Sequence, residues 1–308
     1  IKDLDLRLGE FFSEKIEEFI ASLSLKKEKI EAIGSHGQTI KHEPNSIPPF
    51  SLQIGNPQFI SNKLGIKTIA NFRDDDIAKG GQGAPLSPIF HKEVFAKENK
   101  KRVIINIGGI TNISSLGGAK LIGFDTGPGN CLLDIWTKKN KKGNYDNEGN
   151  WAKAGTVDQD LLDIMMKDNY FSLEPPKSTG PDYFNLSWLQ DCLMKLKREI
   201  DPRDTQATLV ELTASSLSNS LQRLKIVNEN IYICGGGVHN KFLMRRISSL
   251  LGEKCYTTDK LGLDPDYIEA ICFAWLAYKR VNNIKFNMSA ITGSNEKVFL
   301  GKVYLPTK

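Results

Sequence analysis

The stretch Arg102-Val103-Ile104-Ile105-Asn106-Ile107-Gly108-Gly109-Ile110-Thr111-Asn112-Ile113-Ser114-Ser115-Leu116 decides the fold reading. It contains two β-rich pieces, Arg102–Gly108 and Thr111–Leu116, and a third, Lys120–Phe124, follows at once. Short joints containing Gly between such runs predict antiparallel hairpins. The third piece ends on Asp125-Thr126-Gly127-Pro128-Gly129-Asn130, after which Leu132-Leu133-Asp134-Ile135-Trp136 reads as a helix beginning.

Upstream, Leu8, Phe12, Ile16, Phe19 and Leu23 recur at steps of three and four, the mark of an amphipathic helix. Ile30–Ile33 reads as a strand running into Gly34-Ser35-His36-Gly37, and Gly65–Ala70 as another leading into Asn71-Phe72-Arg73. The run Gly80-Gly81-Gln82-Gly83-Ala84-Pro85 is irregular, and its glycines let backbone approach a ligand closely. Downstream, Asn144–Trp188 reads as loop-rich, broken by Pro175-Pro176 and Gly180-Pro181. Asp204 is expected to cap a helix through Leu224. A buried strand is expected over Asn230–Cys234, then Gly235-Gly236-Gly237 and a helix from about Lys241. Asp264-Pro265 is expected to start an apolar, buried helix running to about Arg280. The mixture gives an α/β class with some antiparallel sheet. The expected division lies near residue 102, into lobes 1–102 and 103–308.

Composition narrows the function classes. The net charge of +5 is spread without a Lys/Arg block, which argues against nucleic acid and membrane surfaces. Five cysteines with no C-x-x-C pair argue against a disulfide framework or structural zinc and suit a reducing cytoplasm. No apolar run reaches the roughly 18–20 residues of a membrane span. The opening residues, without Met and almost immediately helical, form no secretory signal and read as the start of a fragment.

Four glycine-rich turns could line a cleft. In the first, Gly108 and Gly109 at a hairpin tip expose N–H groups to an anion, with Asn106, Thr111 and Asn112 alongside; the alternative is an ordinary hairpin turn. No G-x-x-x-x-G-K-[ST] pattern occurs. In the second, Asp125 ends a strand before a rigid Gly-Pro-Gly turn. There it can act as a general base or help hold Mg²⁺, or simply satisfy its own turn amides. In the third, Gly235, Gly236 and Gly237 offer bare backbone to a flat or phosphorylated ligand, or serve tight strand-to-helix packing. The fourth joins Arg73, Asp74, Asp75 and Asp76 to the Gly80–Pro85 loop, where Arg73 can grip a carboxylate and the acids can equally form a solvated turn. His36 is either a substrate hydrogen-bonder or a plain loop histidine. A Glu269 buried in its helix would need a partner, from protein or ligand. No pattern of metal-ligating histidines is present, and no metal ligands are assigned.

These motifs occur in a particular order. Ser35-His36-Gly37-Gln38-Thr39, Leu52-Gln53-Ile54-Gly55, Asn71-Phe72-Arg73 through Asp76 and Gly80–Leu86 come first. Asn106–Asn112, Asp125–Asn130, Pro176-Lys177-Ser178-Thr179-Gly180, Gln206-Ala207-Thr208-Leu209 and Cys234–Gly237 follow. The series closely resembles the anhydro-N-acetylmuramic acid kinase family, from the first helix to Pro306. The resemblance implies a two-lobed, actin-like (ribonuclease H-like) ATPase fold in a cytoplasmic enzyme of peptidoglycan recycling. The implied reaction uses ATP and Mg²⁺ to turn 1,6-anhydro-N-acetylmuramic acid and water into N-acetylmuramic acid 6-phosphate. Carried over residue by residue, Asp125 resembles the catalytic base. Asn106, Gly108, Gly109, Thr111 and Asn112 resemble the second phosphate motif, with Gly127, Gly129 and Asn130 on the same nucleotide side. Gly235, Gly236 and Gly237 resemble the adenosine motif. Arg73, Asp76, Gly81, Gln82 and Gly83 look like the sugar side, with His36 and Glu269 as further candidates. Dimerisation is what the family suggests. The family's opening strand and Gly-Thr-Ser-x-Asp-Gly-type phosphate loop have no counterpart before Ile1. The other readings are a non-catalytic sugar-binding or regulatory homologue, and a related actin-like kinase with another substrate.

Overall fold

The computed structural model describes residues 1–117, 121–226, 230–252 and 255–307. Lys120 and Lys308, at the limits of two expected segments, lie outside the described residues. Two compact units emerge: Ile1–Leu86 with Glu269–Lys308, and Ser87–Ile268. This differs from a single cut near residue 102 in two ways. The helix that opens at Ser87 packs on the second unit, where His91 Nδ1 lies 2.7 Å from Ser114 Oγ. The C-terminal segment returns to the first unit as a strand.

In chain order the first unit opens with α1 (Lys2–Ser22), β1 (Ile33–Gly34), β2 (Gln38–Glu43), β3 (Phe50–Ile54), α2 (Pro57–Leu64), β4 (Thr68–Ala70) and α3 (Asp74–Ala78). The second runs α4 (Ser87–Phe95), β5 (Arg102–Ile107), β6 (Ile110–Leu116), β7 (Ile122–Pro128), α5 (Cys131–Lys139), α6 (Asn150–Lys153), α7 (Gln159–Met166) and α8 (Asn169–Ser172). It continues with α9 (Leu186–Leu196), α10 (Pro202–Arg223), β8 (Asn230–Cys234), α11 (Lys241–Leu251) and β9 (Cys255–Thr257). The chain ends through α12 (Ile268–Val281), β10 (Phe286–Asn287), β11 (Lys297–Val298) and β12 (Lys302–Tyr304).

The first unit's sheet has the order β1-β4-β12, parallel then antiparallel, beside a β2–β3 hairpin. The second unit's sheet has the order β7-β6-β5-β8-β9. Three antiparallel strands therefore continue into parallel ones, the mixed α/β arrangement expected of a ribonuclease H-like sheet. Central β5 explains the run that opened the reading: Val103, Ile104 and Ile105 are fully buried because both faces of the strand are covered. Ile105, Ile107, Ile113, Phe124, Leu133, Leu209 and Leu217 share one core. Each such side chain is worth about 1.5–3 kcal/mol of burial.

Three local expectations are corrected. The region expected to be loop-rich, Asn144–Trp188, holds α6, α7 and α8 and starts α9. Asp201, not Asp204, caps α10: its carboxylate accepts the Arg203 N–H at 2.8 Å with Pro202 in the first turn, while Asp204 accepts from Thr156 N. Asp264-Pro265 forms a turn, because Asp264 Oδ1 is bonded to Asp266 N and the Pro265 carbonyl to Gly235 N; α12 starts later.

Candidate active site

Strand register builds the centre of the second unit. Asp125 on β7 pairs with Asn112 on β6, Asn112 with Asn106 on β5, and Asn106 with Cys234 at the end of β8. Residues in register project to one face. A polar row, Asp125–Asn112–Asn106, thus crosses three strands and ends beside the Gly235–Gly237 turn. Asn106 and Asn112 are half-buried, and Asp125 is 5% exposed.

Asp125 is held from behind by a segment the sequence had singled out without a role. Its N–H donates to the Lys177 carbonyl at 3.2 Å. Its carbonyl accepts the Tyr170 hydroxyl at 2.7 Å, and its Oδ2 accepts the Thr179 N–H at 3.0 Å. The Lys177 ammonium bonds the Tyr170 carbonyl at 3.1 Å and lies 4.6 Å from the centre of the Tyr170 ring, where burial pulls its pKa down to about 8. Burial, and then the Asp125 charge, push the Tyr170 hydroxyl well above its ordinary value, so that it stays a donor.

The glycine turns interlock around this row. Gly129 N and Cys131 N both donate to the Gly109 carbonyl, and Asn130 N to the Gly108 carbonyl at 2.8 Å. Gly109 is exposed and Gly108 and Asn130 half-buried, whereas Gly127, Gly129 and Thr111 are buried. The three glycines after β8 divide into two kinds. A Cβ on Gly235 would lie 2.4 Å from Asn106 Oδ1, and one on Gly237 would lie 2.3 Å from Ile107 Cγ2. At Gly236 a Cβ would meet nothing within 4 Å. Gly235 and Gly237 therefore serve close packing on β5, and Gly236 alone turns an open backbone outward.

The sugar-side candidates gather in the first unit. His36 Nδ1 lies 2.9 Å from the Gly37 carbonyl, and its Nε2 lies 3.3 and 3.0 Å from Arg73 Nε and Nη2. Arg73 Nη1 also donates to the Gly83 carbonyl at 3.3 Å. Burial first, and Arg73 second, lower the His36 pKa to about 3. Asp76 is fully buried: Oδ2 accepts Gly83 N at 2.7 Å, and Oδ1 accepts the Thr292 hydroxyl at 2.7 Å. Gly81 is pressed against it, with room for no Cβ, since one would lie 2.2 Å from Oδ2. Burial raises the Asp76 pKa. Gln82 N donates to the Thr292 carbonyl, and its side-chain amide to Asn45 Oδ1 at 3.1 Å. So Asp76 shapes the glycine loop from inside. Glu269, expected buried, is exposed, because α12 begins at Ile268 and places it on the outer side of the first turn.

The family model described as anhydro-N-acetylmuramic acid kinase matches residues 1–306. A protein of that name from Pasteurella multocida (strain Pm70) is 47% identical over 98% of this chain and 81% of its own length. One from Saccharophagus degradans is 44% identical over 98% of this chain and 83% of its own. The chain belongs to the anhydro-N-acetylmuramic acid kinase family. Among solved structures, the activator of the 2-hydroxyisocaproyl-CoA dehydratase from Clostridium difficile aligns over 82% of this chain at 16% identity. Its TM-score of 0.40 is too low to bear on site or activity.

Within the chain, the residues that sequence reasoning missed are second partners rather than motif members. Thr292 and Tyr170 stand in no motif, and Thr179 was quoted without a role. Only the place of Pro176–Gly180 in the motif series singled out one of them, Thr179.

Proposed function

We propose that the chain is an ATP-dependent kinase that converts 1,6-anhydro-N-acetylmuramic acid and water into N-acetylmuramic acid 6-phosphate. The supporting observation is the row Asp125–Asn112–Asn106, brought into register beside two laced glycine turns and the outward-facing Gly236. Asp125 takes the proton from the water that attacks the anomeric carbon. The 1,6-bridge opens, and the freed 6-oxygen accepts the γ-phosphoryl group, with ADP leaving. Thr179 N–H fixes one carboxylate oxygen, so the base is oriented before substrate arrives. The exposed Gly109 offers its backbone to phosphates, held in place by the Gly108 and Asn130 N–H groups, which are turned to the Ile110 and Gly108 carbonyls, and Gly236 offers bare backbone to the adenosine. Arg73, Gln82 and the Gly80–Pro85 loop take the sugar.

No cluster of three His, Cys, Asp or Glu side chains stands ready for a metal among the described residues. The oxygens of Asp125, Asn112 and Asn106 are nevertheless the hard donors Mg²⁺ takes when nucleotide phosphates and water complete its shell. When bound, the ion would neutralise charge on the transferring phosphoryl group.

The test is product analysis. The full-length enzyme, incubated with ATP, Mg²⁺ and the anhydro sugar, should release ADP and a sugar heavier by one phosphoryl group and one water. Sugar binding without ADP release would establish the non-catalytic reading. A product heavier by phosphoryl alone would overturn the ring-opening step.

A further inference from the structure

An outer strand of a sheet has ladder partners on one side only. A side chain carried there is placed no better than its backbone is held from the open side. β7 is such a strand, ending the order β7-β6-β5-β8-β9, and it carries Asp125. Its register against β6 also shifts between Thr111 and Asn112, immediately beside the pair Asn112–Asp125.

Both backbone groups of Asp125 are taken up from outside the sheet. The N–H donates to the Lys177 carbonyl at 3.2 Å, and the carbonyl accepts the Tyr170 hydroxyl at 2.7 Å. These two partners are joined to each other. The Lys177 ammonium donates to the Tyr170 carbonyl at 3.1 Å and lies over the Tyr170 ring, 4.6 Å from its centre. The contacts close a triangle: Asp125 to Lys177, Lys177 to Tyr170, Tyr170 back to Asp125. Tyr170 is fixed at every polar atom, because its N–H donates to Asp168 Oδ1 at 2.8 Å. Its ring meets Phe184 edge-on, with centroids 5.5 Å apart. The same ammonium lies 5.8 Å from the centre of the ring of Phe124, the residue before Asp125.

Stability alone is a poor reason for a charge at this place. Lys177 is 5% exposed, and a buried ion can often be replaced by an apolar side chain of similar volume without loss. The ammonium instead supplies direction. It ties α8, through Tyr170, to the segment that holds the Asp125 N–H.

We propose that Lys177 and Tyr170 are positioning residues that act as one clamp on the Asp125 backbone, aiming its carboxylate at the water it deprotonates. The assignment rests on the proposed function and extends it from the base to the side chains that aim the base.

Kinetics of the full-length enzyme test the clamp. Tyr170→Phe removes one oxygen, and Lys177→Met removes one charge. Each should lower kcat about ten- to a hundredfold, as a slightly misplaced base does, and change KM for ATP and for the sugar by less than about threefold. Lys177→Met should keep or raise the wild-type Tm. Cutting the clamp twice should cost no more than cutting it once, so the double variant should stay within about threefold of the slower single one. A folded single variant that turns over at the wild-type rate overturns the inference. So does a loss confined to KM, or a double variant in which the two losses multiply. A wild-type enzyme that releases no ADP counts against the kinase reading instead, and amide hydrogen exchange then decides the clamp alone, as it does should Lys177→Met fail to fold. The Asp125 amide of Tyr170→Phe should exchange at least about tenfold faster than that of wild type. Equal exchange overturns the inference.

Discussion

Both units set an aspartate beside a glycine-rich loop, and the two aspartates do opposite work. Asp76 holds its loop: one oxygen takes the Gly83 amide, the other the Thr292 hydroxyl, and the side chain is shut off from solvent. Asp125 is held from outside its loop: backbone groups of Lys177 and Thr179 and the Tyr170 hydroxyl fix it, and a half-buried polar row runs on from it across two more strands. A carboxylate near glycines is therefore architecture when one oxygen is tied to its own loop and the other to a buried hydroxyl of a distant segment. It becomes a candidate for chemistry when its neighbours in register are polar and open.

The largest expected effect on folding comes from removing the carboxylate that holds. Asp76→Ala leaves the buried Gly83 amide without its acceptor and the Thr292 hydroxyl with only the Met288 carbonyl at 3.2 Å, a loss of about 2–4 kcal/mol. Thermal unfolding should show a clear drop in Tm, and an unchanged Tm would break the contrast between the two aspartates. A finer comparison lies within the second unit. Gly237→Ala drives a methyl into Ile107 and should cost about 1–3 kcal/mol, read by denaturant unfolding. Gly236→Ala should stay within about 0.5 kcal/mol of wild type, with any effect confined to KM for ATP.

The smallest effect is on pH. His36, His42 and His91 have folded pKa values of about 3, 4 and 3, all depressed chiefly by burial, against an ordinary 6.5. Below 6.5 the unfolded chain binds protons that the folded chain refuses. Their contribution is therefore complete above pH 6.5 and is lost progressively as pH falls toward about 3. Asp76, raised by burial, works in the other direction, its contribution being fullest below the ordinary carboxylate value. Two of the three histidines lie in the first unit. Hydrogen exchange compared at about pH 5 and 7.5 should show the first unit loosening more than the second.

Much of this was legible because short-range signals were strong. Glycine joints marked β5, β6 and β7, and the Asn106–Asn112 and Asp125–Asn130 turns fell where strand ends require them. The register that aligns Asp125 with Asn112 and Asn106 contains a shift between Thr111 and Asn112, which no alternation of apolar residues announces. The helices α6 and α8 span one turn each, too few positions for a 3.6-residue period to show. The partnership of Asp76 with Thr292 joins residues more than two hundred apart, and only the return of the C-terminal segment creates it. The burial expected of Glu269 failed because the helix start shifted, and a few residues decide which face a side chain occupies.

The account depends most directly on the carboxylate of Asp125. Asp125→Asn keeps the side chain's shape and an oxygen for the Thr179 amide, so unfolding and the binding of both substrates should be unchanged. Turnover should fall by about 10²–10⁴. A folded Asp125→Asn enzyme that releases ADP at the wild-type rate would contradict the account.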